Sequence, residues 1–110
     1  MQQWFCILFF SLLLFSCASK RIISPRQADV NRMKTQFPDY TLTDLNKGKA
    51  LYEGNCGNCH RLKDPAKKTA DKWEATVERM VKKINKKEEK VSSEAQELIL
   101  RYLSTYSKQD

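Results

Sequence analysis

The sequence predicts a small all-α domain with three main helices. Apolar residues recur at helical spacing within residues 45–52, 73–84 and 95–106, and a residue type that caps helix N-termini precedes each stretch. No segment alternates polar and apolar residues as a half-buried strand would. A chain of 110 residues has room for one such domain.

The first predicted helix begins near Thr41 or Thr43, with Asp44 in the first turn, where a carboxylate suits the helix dipole. Its apolar face consists of Leu45, Gly48, Leu51 and Tyr52. A glycine inside a helix costs about 1 kcal/mol relative to alanine. We therefore interpret Gly48 as a notch at which another helix approaches closely.

The second predicted helix starts after Thr69, with Asp71 in its first turn. Its apolar stripe consists of Trp73, Val77, Met80, Val81 and Ile84. The third starts at Ser93, which we expect to form a capping box with Gln96. Its apolar residues are Ala95, Leu98, Ile99, Tyr102, Leu103 and Tyr106.

An apolar block ends at Ser16 and is too short for a bilayer span, which needs about 20 residues. Its length is typical of a signal-peptide core, so we assign residues 1–16 to a lipoprotein-type leader that is removed. The tetrapeptide Leu14-Phe15-Ser16-Cys17 resembles a bacterial lipobox, which implies lipid on Cys17. The alternatives are an ordinary cleaved signal peptide and an uncleaved anchor. The prediction is an exported, membrane-anchored lipoprotein facing the periplasm or the cell exterior.

Residues 17–40 are mixed and polar, and Pro25 and Pro38 interrupt any helix. We predict a lipid-anchored, flexible tether with a root-mean-square reach on the order of 25 Å. Alternatively, its last residues, such as Phe37, Pro38 and Tyr40, pack onto the domain. The domain itself is placed at residues 41–110.

Twenty Lys and Arg face thirteen Asp and Glu, which gives a formal charge of +7. A basic exterior favours acidic partners or anionic surfaces. We expect no binding to nucleic acid, because the chain has no nucleic-acid-reading motif and the leader predicts export. A lysine cluster either steers an acidic partner or forms only a solvated face. It comprises Lys82, Lys83, Lys86, Lys87 and Lys90.

The sequence Cys56-Gly57-Asn58-Cys59-His60 is the C-x-x-C-H signature of covalent haem attachment. Two closely spaced thiolates can bond the two vinyl groups of a porphyrin, and the following imidazole can bind the iron from one side. We therefore predict one covalent haem c per chain, with His60 as the proximal iron ligand. With Cys6 lost in the leader and Cys17 lipidated, no disulfide is expected.

The sixth iron ligand decides the function. A thioether would close the iron and suit electron transfer, and after the leader the chain offers only Met33 and Met80. We favour Met80, which follows the motif, whereas Met33 lies in the predicted tether. The alternative is that Met80 is an ordinary core residue of its helix. His60 is the only histidine, so a second imidazole ligand from this chain is excluded.

Three other site classes are weighed against this prediction. A C-x-x-C thiol redox module needs a βαβ context, which is not visible, and a structural zinc site needs four ligands. The serious alternative is a haem sensor or peroxidase-like enzyme with an open sixth iron site. Because no distal histidine is available as an acid or base, we expect no enzymatic activity.

The spacing Gly48-x-x-x-Tyr52 leading into the haem motif, a later methionine and a closing helix with Tyr102-Leu103 resemble class I monohaem cytochromes c over residues 41–107. The resemblance implies a small cytochrome c fold around the haem, electron transfer with redox partner proteins, and a crossing of first and last helices at Gly48 and Tyr52. It also implies a proline carbonyl, here that of Pro65, as acceptor for the second nitrogen of His60. We expect Trp73 to pack beside the haem, with its indole N–H as a further candidate for a haem propionate, and the protein to be a monomer.

Overall fold

The computed structural model describes residues 23–57 and 61–110. Within them lie helices only: α1 (Gln27–Arg32), α2 (Leu42–Cys56), a short 3-10 helix (Pro65–Lys67), α3 (Ala70–Ile84) and α4 (Ser93–Thr105). Helix α4 packs against both α2 and α3, and α1 contacts α2. The predicted all-α class is confirmed. The leader at 1–16, Cys17, Cys59 and His60 lie outside the described residues.

The helix starts follow from capping side chains. Thr41 caps α2: its hydroxyl accepts from the Asp44 N–H at 3.1 Å, and Asp44 accepts from the Thr41 N–H at 3.2 Å. Helix α3 follows Thr69, as predicted. The predicted cap of the last helix was one residue late: Ser92, with extended backbone, accepts from the Ala95 N–H at 3.1 Å, while Ser93 is already helical.

Helices α2 and α4 cross at Gly48, which confirms the predicted notch. A Cβ at this position would collide with the Leu98 carbonyl oxygen and lie 2.9 Å from the Cβ of Tyr102. Leu45, on the same face of α2, has no exposed surface. The glycine therefore sets how closely α2 and α4 approach each other.

The prediction of a flexible tether was wrong for residues 23–40, while the alternative that its last residues pack onto the domain holds at Tyr40. Residues 23–40, here called the strap, fold back onto the domain, and Val30 and Tyr40 have no exposed surface. The Tyr40 and Thr105 hydroxyls are hydrogen-bonded at 3.1 Å, which joins the strap to the end of α4. Burying these apolar side chains offsets the entropy cost of ordering the segment.

A buried carboxylate fastens the strap. Asp29 accepts from the Tyr106 hydroxyl at 2.9 Å and from the Arg32 guanidinium at 3.1 Å, and Arg32 also donates to the Thr105 carbonyl at 3.0 Å. Burial alone would raise the pKa of Asp29, but these donors and the Arg26 N–H hold it below its usual value. The strap is thus held by apolar burial and by a charge-assisted network.

The loop between α3 and α4 is organised by one side chain. The Asn85 carbonyl oxygen accepts from the Lys90 and Val91 N–H groups, each at 3.0 Å, and its amide donates to the Val91 carbonyl at 2.8 Å. Val91 is buried as a result. Among the helices of the described residues, none is both long and apolar enough to cross a membrane.

Candidate functional site

The first cysteine of the motif is the last residue of α2. Cys56 is half-buried and packs against the core. Gly57 caps the helix, and its N–H donates to the Glu53 carbonyl at 3.3 Å. A Cβ at Gly57 would crowd that carbonyl at 2.7 Å and would lie 3.6 Å from the Leu62 side chain. The small residue between the cysteines therefore suits a tightly turning helix end.

Tyr52 lies one turn before Cys56 and ties the chain after the motif back to α2. Its hydroxyl donates to the Lys63 carbonyl at 2.8 Å, and the side chain is buried. Burial, and next the neighbouring Cys56, raise the pKa of Tyr52 to about 12. The phenol therefore stays protonated as a donor at neutral pH.

Trp73 and Pro65, both predicted site residues, meet each other. The Trp73 indole N–H donates to the Pro65 carbonyl at 2.7 Å in a buried setting. An indole has a single N–H, so the sequence-based option of a haem propionate as its acceptor is not what the structure shows. The Pro65 carbonyl also accepts from the Lys68 N–H at 3.5 Å, and His60, the donor predicted for it, lies outside the described residues.

Met80 lies at the edge of the apolar face of α3. It is half-buried, whereas its neighbours Val77 and Val81 are only 4% and 9% exposed. The other candidate, Met33, lies in the strap and packs against the core. Met80 is therefore less buried than Val77 and Val81, and Met33 is half-buried as well.

The predicted lysine cluster is strongly solvated. Lys82 pairs with Glu78 at 2.9 Å and Lys90 with Glu88 at 3.4 Å, with 75% and 59% of the two lysine side chains exposed. Exposed pairs of this kind contribute little to stability. The cluster is thus partly neutralised along its length.

A second basic group, which the sequence analysis missed, surrounds Lys68. Burial, followed by the charges of Lys63, Arg79 and Lys72, lowers the pKa of Lys68. Its ammonium donates to the Thr76 hydroxyl at 2.7 Å and lies 5.2 Å from the centre of the Trp73 ring. The available signal was the density of Lys and Arg between the motif and Trp73. This group brings positive charge directly beside the predicted haem-packing side chains.

Several apolar side chains of α2, of α3 and of the segment after the motif are only partly buried. Four of them, from α2, from the segment after the motif and from α3, are half-buried: Leu51, Leu62, Met80 and Ile84. The described residues thus include a thiol at the end of α2, a thioether on α3 and partly buried apolar groups, which are residue types that suit a covalent porphyrin. Comparisons with protein-family models, curated protein sequences and solved structures found no match.

Proposed function

We propose that the chain is a membrane-tethered monohaem c-type cytochrome that carries single electrons outside the cytoplasm and is not an enzyme. The observation that supports this best is the C-x-x-C-H motif at the end of α2, a helix that crosses the last helix at Gly48. This combination joins a haem-attachment signature to the helix crossing that the cytochrome resemblance implies.

The residues present fit a haem. Cys56 and Cys59 would hold it covalently, with His60 and Met80 as axial ligands, and when bound it supplies one-electron chemistry at iron. The half-buried Leu62 and Ile84 would lose apolar exposure and help exclude water. The Tyr52 and Trp73 hydrogen bonds to Lys63 and Pro65 brace the segment that follows the motif.

The basic group around Lys68 supports an acidic redox partner. Four cations close to the Trp73 side of the domain would steer a negatively charged surface toward it and make association sensitive to salt. Such contacts are small and short-lived in electron transfer.

The visible spectrum of the purified, oxidised protein tests the proposal. A haem with a methionine ligand has a weak far-red charge-transfer band, which we expect Met80→Ala to abolish. Met33→Ala is the matched control and should retain the band, because Met33 packs in the strap. A high-spin wild-type spectrum that shifts on adding cyanide or carbon monoxide would favour the open-site sensor or enzyme instead.

Membrane fractionation tests the anchor. Lipid on Cys17 requires its thiol, so Cys17→Ser should release the protein into the soluble fraction, while Cys6→Ser should leave it membrane-bound. Retention of Cys17→Ser on membranes would contradict the lipoprotein proposal.

A further inference from the structure

Four aromatic side chains form a continuous series of ring contacts through the domain. Trp73 contacts Tyr52 at a centroid distance of 6.1 Å, Tyr52 contacts Tyr102 at 5.8 Å, and Tyr102 contacts Tyr106 at 5.6 Å. The first three are at most 5% exposed, whereas Tyr106 is half-buried. The series therefore runs from the braced segment beside the motif to the surface at the strap.

The hydroxyls of Tyr52 and Tyr106 donate to acceptors of different basicity. Tyr52 donates to a backbone carbonyl, which is not a base, whereas Tyr106 donates to the Asp29 carboxylate at 2.9 Å. Removing an electron from a phenol makes it a much stronger acid than a carboxylic acid. A tyrosine radical is therefore stabilised where a base can take the proton, which favours Tyr106 over Tyr52.

Before an electron is removed, the protonation states of Tyr106 and Asp29 suit this role. Burial, and next the neighbouring Asp29, raise the pKa of Tyr106 above its usual value. The hydrogen bonds that Asp29 accepts from Tyr106, Arg32 and the Arg26 N–H keep the pKa of Asp29 low. At neutral pH the proton is therefore on the phenol, and the carboxylate is ready to accept it.

We propose that Trp73, Tyr52, Tyr102 and Tyr106 form a radical-transfer chain that carries one oxidising equivalent from the haem side of the domain to Tyr106, with Asp29 accepting the proton. The source of the equivalent rests on the proposed function: hydrogen peroxide would oxidise the haem in molecules in which Met80 has left the iron. In the net step Tyr106 loses one electron, and the oxidised haem is reduced by one electron. The Tyr106 O–H bond breaks and an O–H bond forms on Asp29. The chain thereby moves damaging oxidation away from the cofactor.

The short contacts are what make the route fast. Electron tunnelling falls off exponentially with distance, so three steps between touching rings outpace one step across the whole domain. A substitution of any ring in the series should therefore slow transfer, whereas an aromatic residue outside it should not matter. Tyr40 is the matched control, because it is buried and hydrogen-bonded but has its ring contact with Phe37.

Laser-flash photoionisation of Trp73 tests the route without haem. The full chain carries Trp4→Phe, so that Trp73 is its only indole. We expect the indolyl radical to decay with first-order kinetics, independent of protein concentration, as a phenoxyl radical appears at the same rate. Tyr106→Phe should lose the long-lived phenoxyl signal, and Tyr40→Phe should retain it. An unchanged phenoxyl yield and lifetime in Tyr106→Phe would overturn the proposal.

Two further measurements separate the route from its source. In D2O the rise of the phenoxyl radical should slow severalfold, because proton transfer to Asp29 accompanies it; an unchanged rate would refute the role of Asp29 without relying on a variant that disturbs the strap. In the haem-loaded chain, hydrogen peroxide should give a tyrosyl radical by electron paramagnetic resonance that Tyr106→Phe loses. Transfer in the flash experiment without any haem binding would overturn only the source, and haem binding without transfer would overturn only the route.

Discussion

The strap region and the motif region of this domain differ in how completely they are covered. At the strap, Val30 and Tyr40 are fully buried, and the buried Asp29 has three hydrogen-bond donors. Leu62 after the motif, and Met80 and Ile84 on α3, are half-buried although they are apolar.

This difference fits the proposal that a haem completes the core beside the motif, whereas the chain itself covers the core beneath the strap. The strap region fully buries Val30 and Tyr40 and gives the Asp29 carboxylate its donors, although Met33 and Phe37 are only half-buried. The motif region leaves apolar surface beside a helix that ends in Cys56, as expected where a cofactor completes the core. Domains of this size commonly depend on a cofactor, metal or disulfide for part of their stability.

The largest effect on the free energy of unfolding should come from the crossing of α2 and α4 at Gly48. Gly48→Ala places a methyl group against the Leu98 carbonyl and Tyr102, so it should lower the free energy of unfolding by about 2 to 3 kcal/mol. Chemical denaturation measures this. Gly54→Ala is the matched control in the same helix: nothing lies within 4 Å of its Cβ, and it should be neutral or slightly stabilising. Equal destabilisation by both variants would contradict the crossing.

The coverage of the strap is tested by Val30→Ala. Because Val30 has no exposed surface, the substitution should cost about 2 kcal/mol in the free energy of unfolding. Thr35→Ala, at an exposed position of the same segment, should change stability little. If both variants unfold like the wild type, the segment behaves as the free tether that the sequence suggested.

The motif region should respond differently with and without haem. Ile84→Ala removes more apolar surface than Val30→Ala, yet it should cost only about 1 kcal/mol in the haem-free chain, because Ile84 is half-buried and alanine favours a helix. In the haem-loaded chain the cost should rise. A cost that is the same in both forms would show that haem does not cover this side chain.

The smallest effect is the pH dependence of the strap. The pKa of Asp29 is lower in the folded protein than in the unfolded chain, so its ionised form stabilises the fold above pH about 4, and this contribution is lost as pH falls through the folded pKa. The stability difference between wild type and Asp29→Asn should therefore shrink from about 1 kcal/mol at pH 7 toward zero at low pH. Asp110→Asn is the control, because Asp110 is an exposed carboxylate away from this network. A difference for Asp29→Asn that is constant with pH would refute the charged network.

The helices were predictable from sequence, and the strap was not, for a physical reason. Residues such as Val77 and Leu98 repeat with the helical period, and Thr41 with Asp44 forms a local capping pattern. Tyr40 and Asp29 are instead held by Thr105 and Tyr106, more than sixty residues away in sequence. Such pairs leave no local pattern. The Trp73 acceptor was missed because a backbone carbonyl has no residue-specific signal.

The intact mass of the chain, produced together with enzymes that attach c-type haem and measured under denaturing conditions, tests the central claim most directly. The account predicts a mass increase of one haem that survives denaturation, because both thiols of the motif bond the porphyrin. The increase should persist in Cys6→Ala and disappear when Cys56→Ala and Cys59→Ala are combined. A wild-type chain without added haem mass, or a double variant that retains it, would contradict the assignment of the motif.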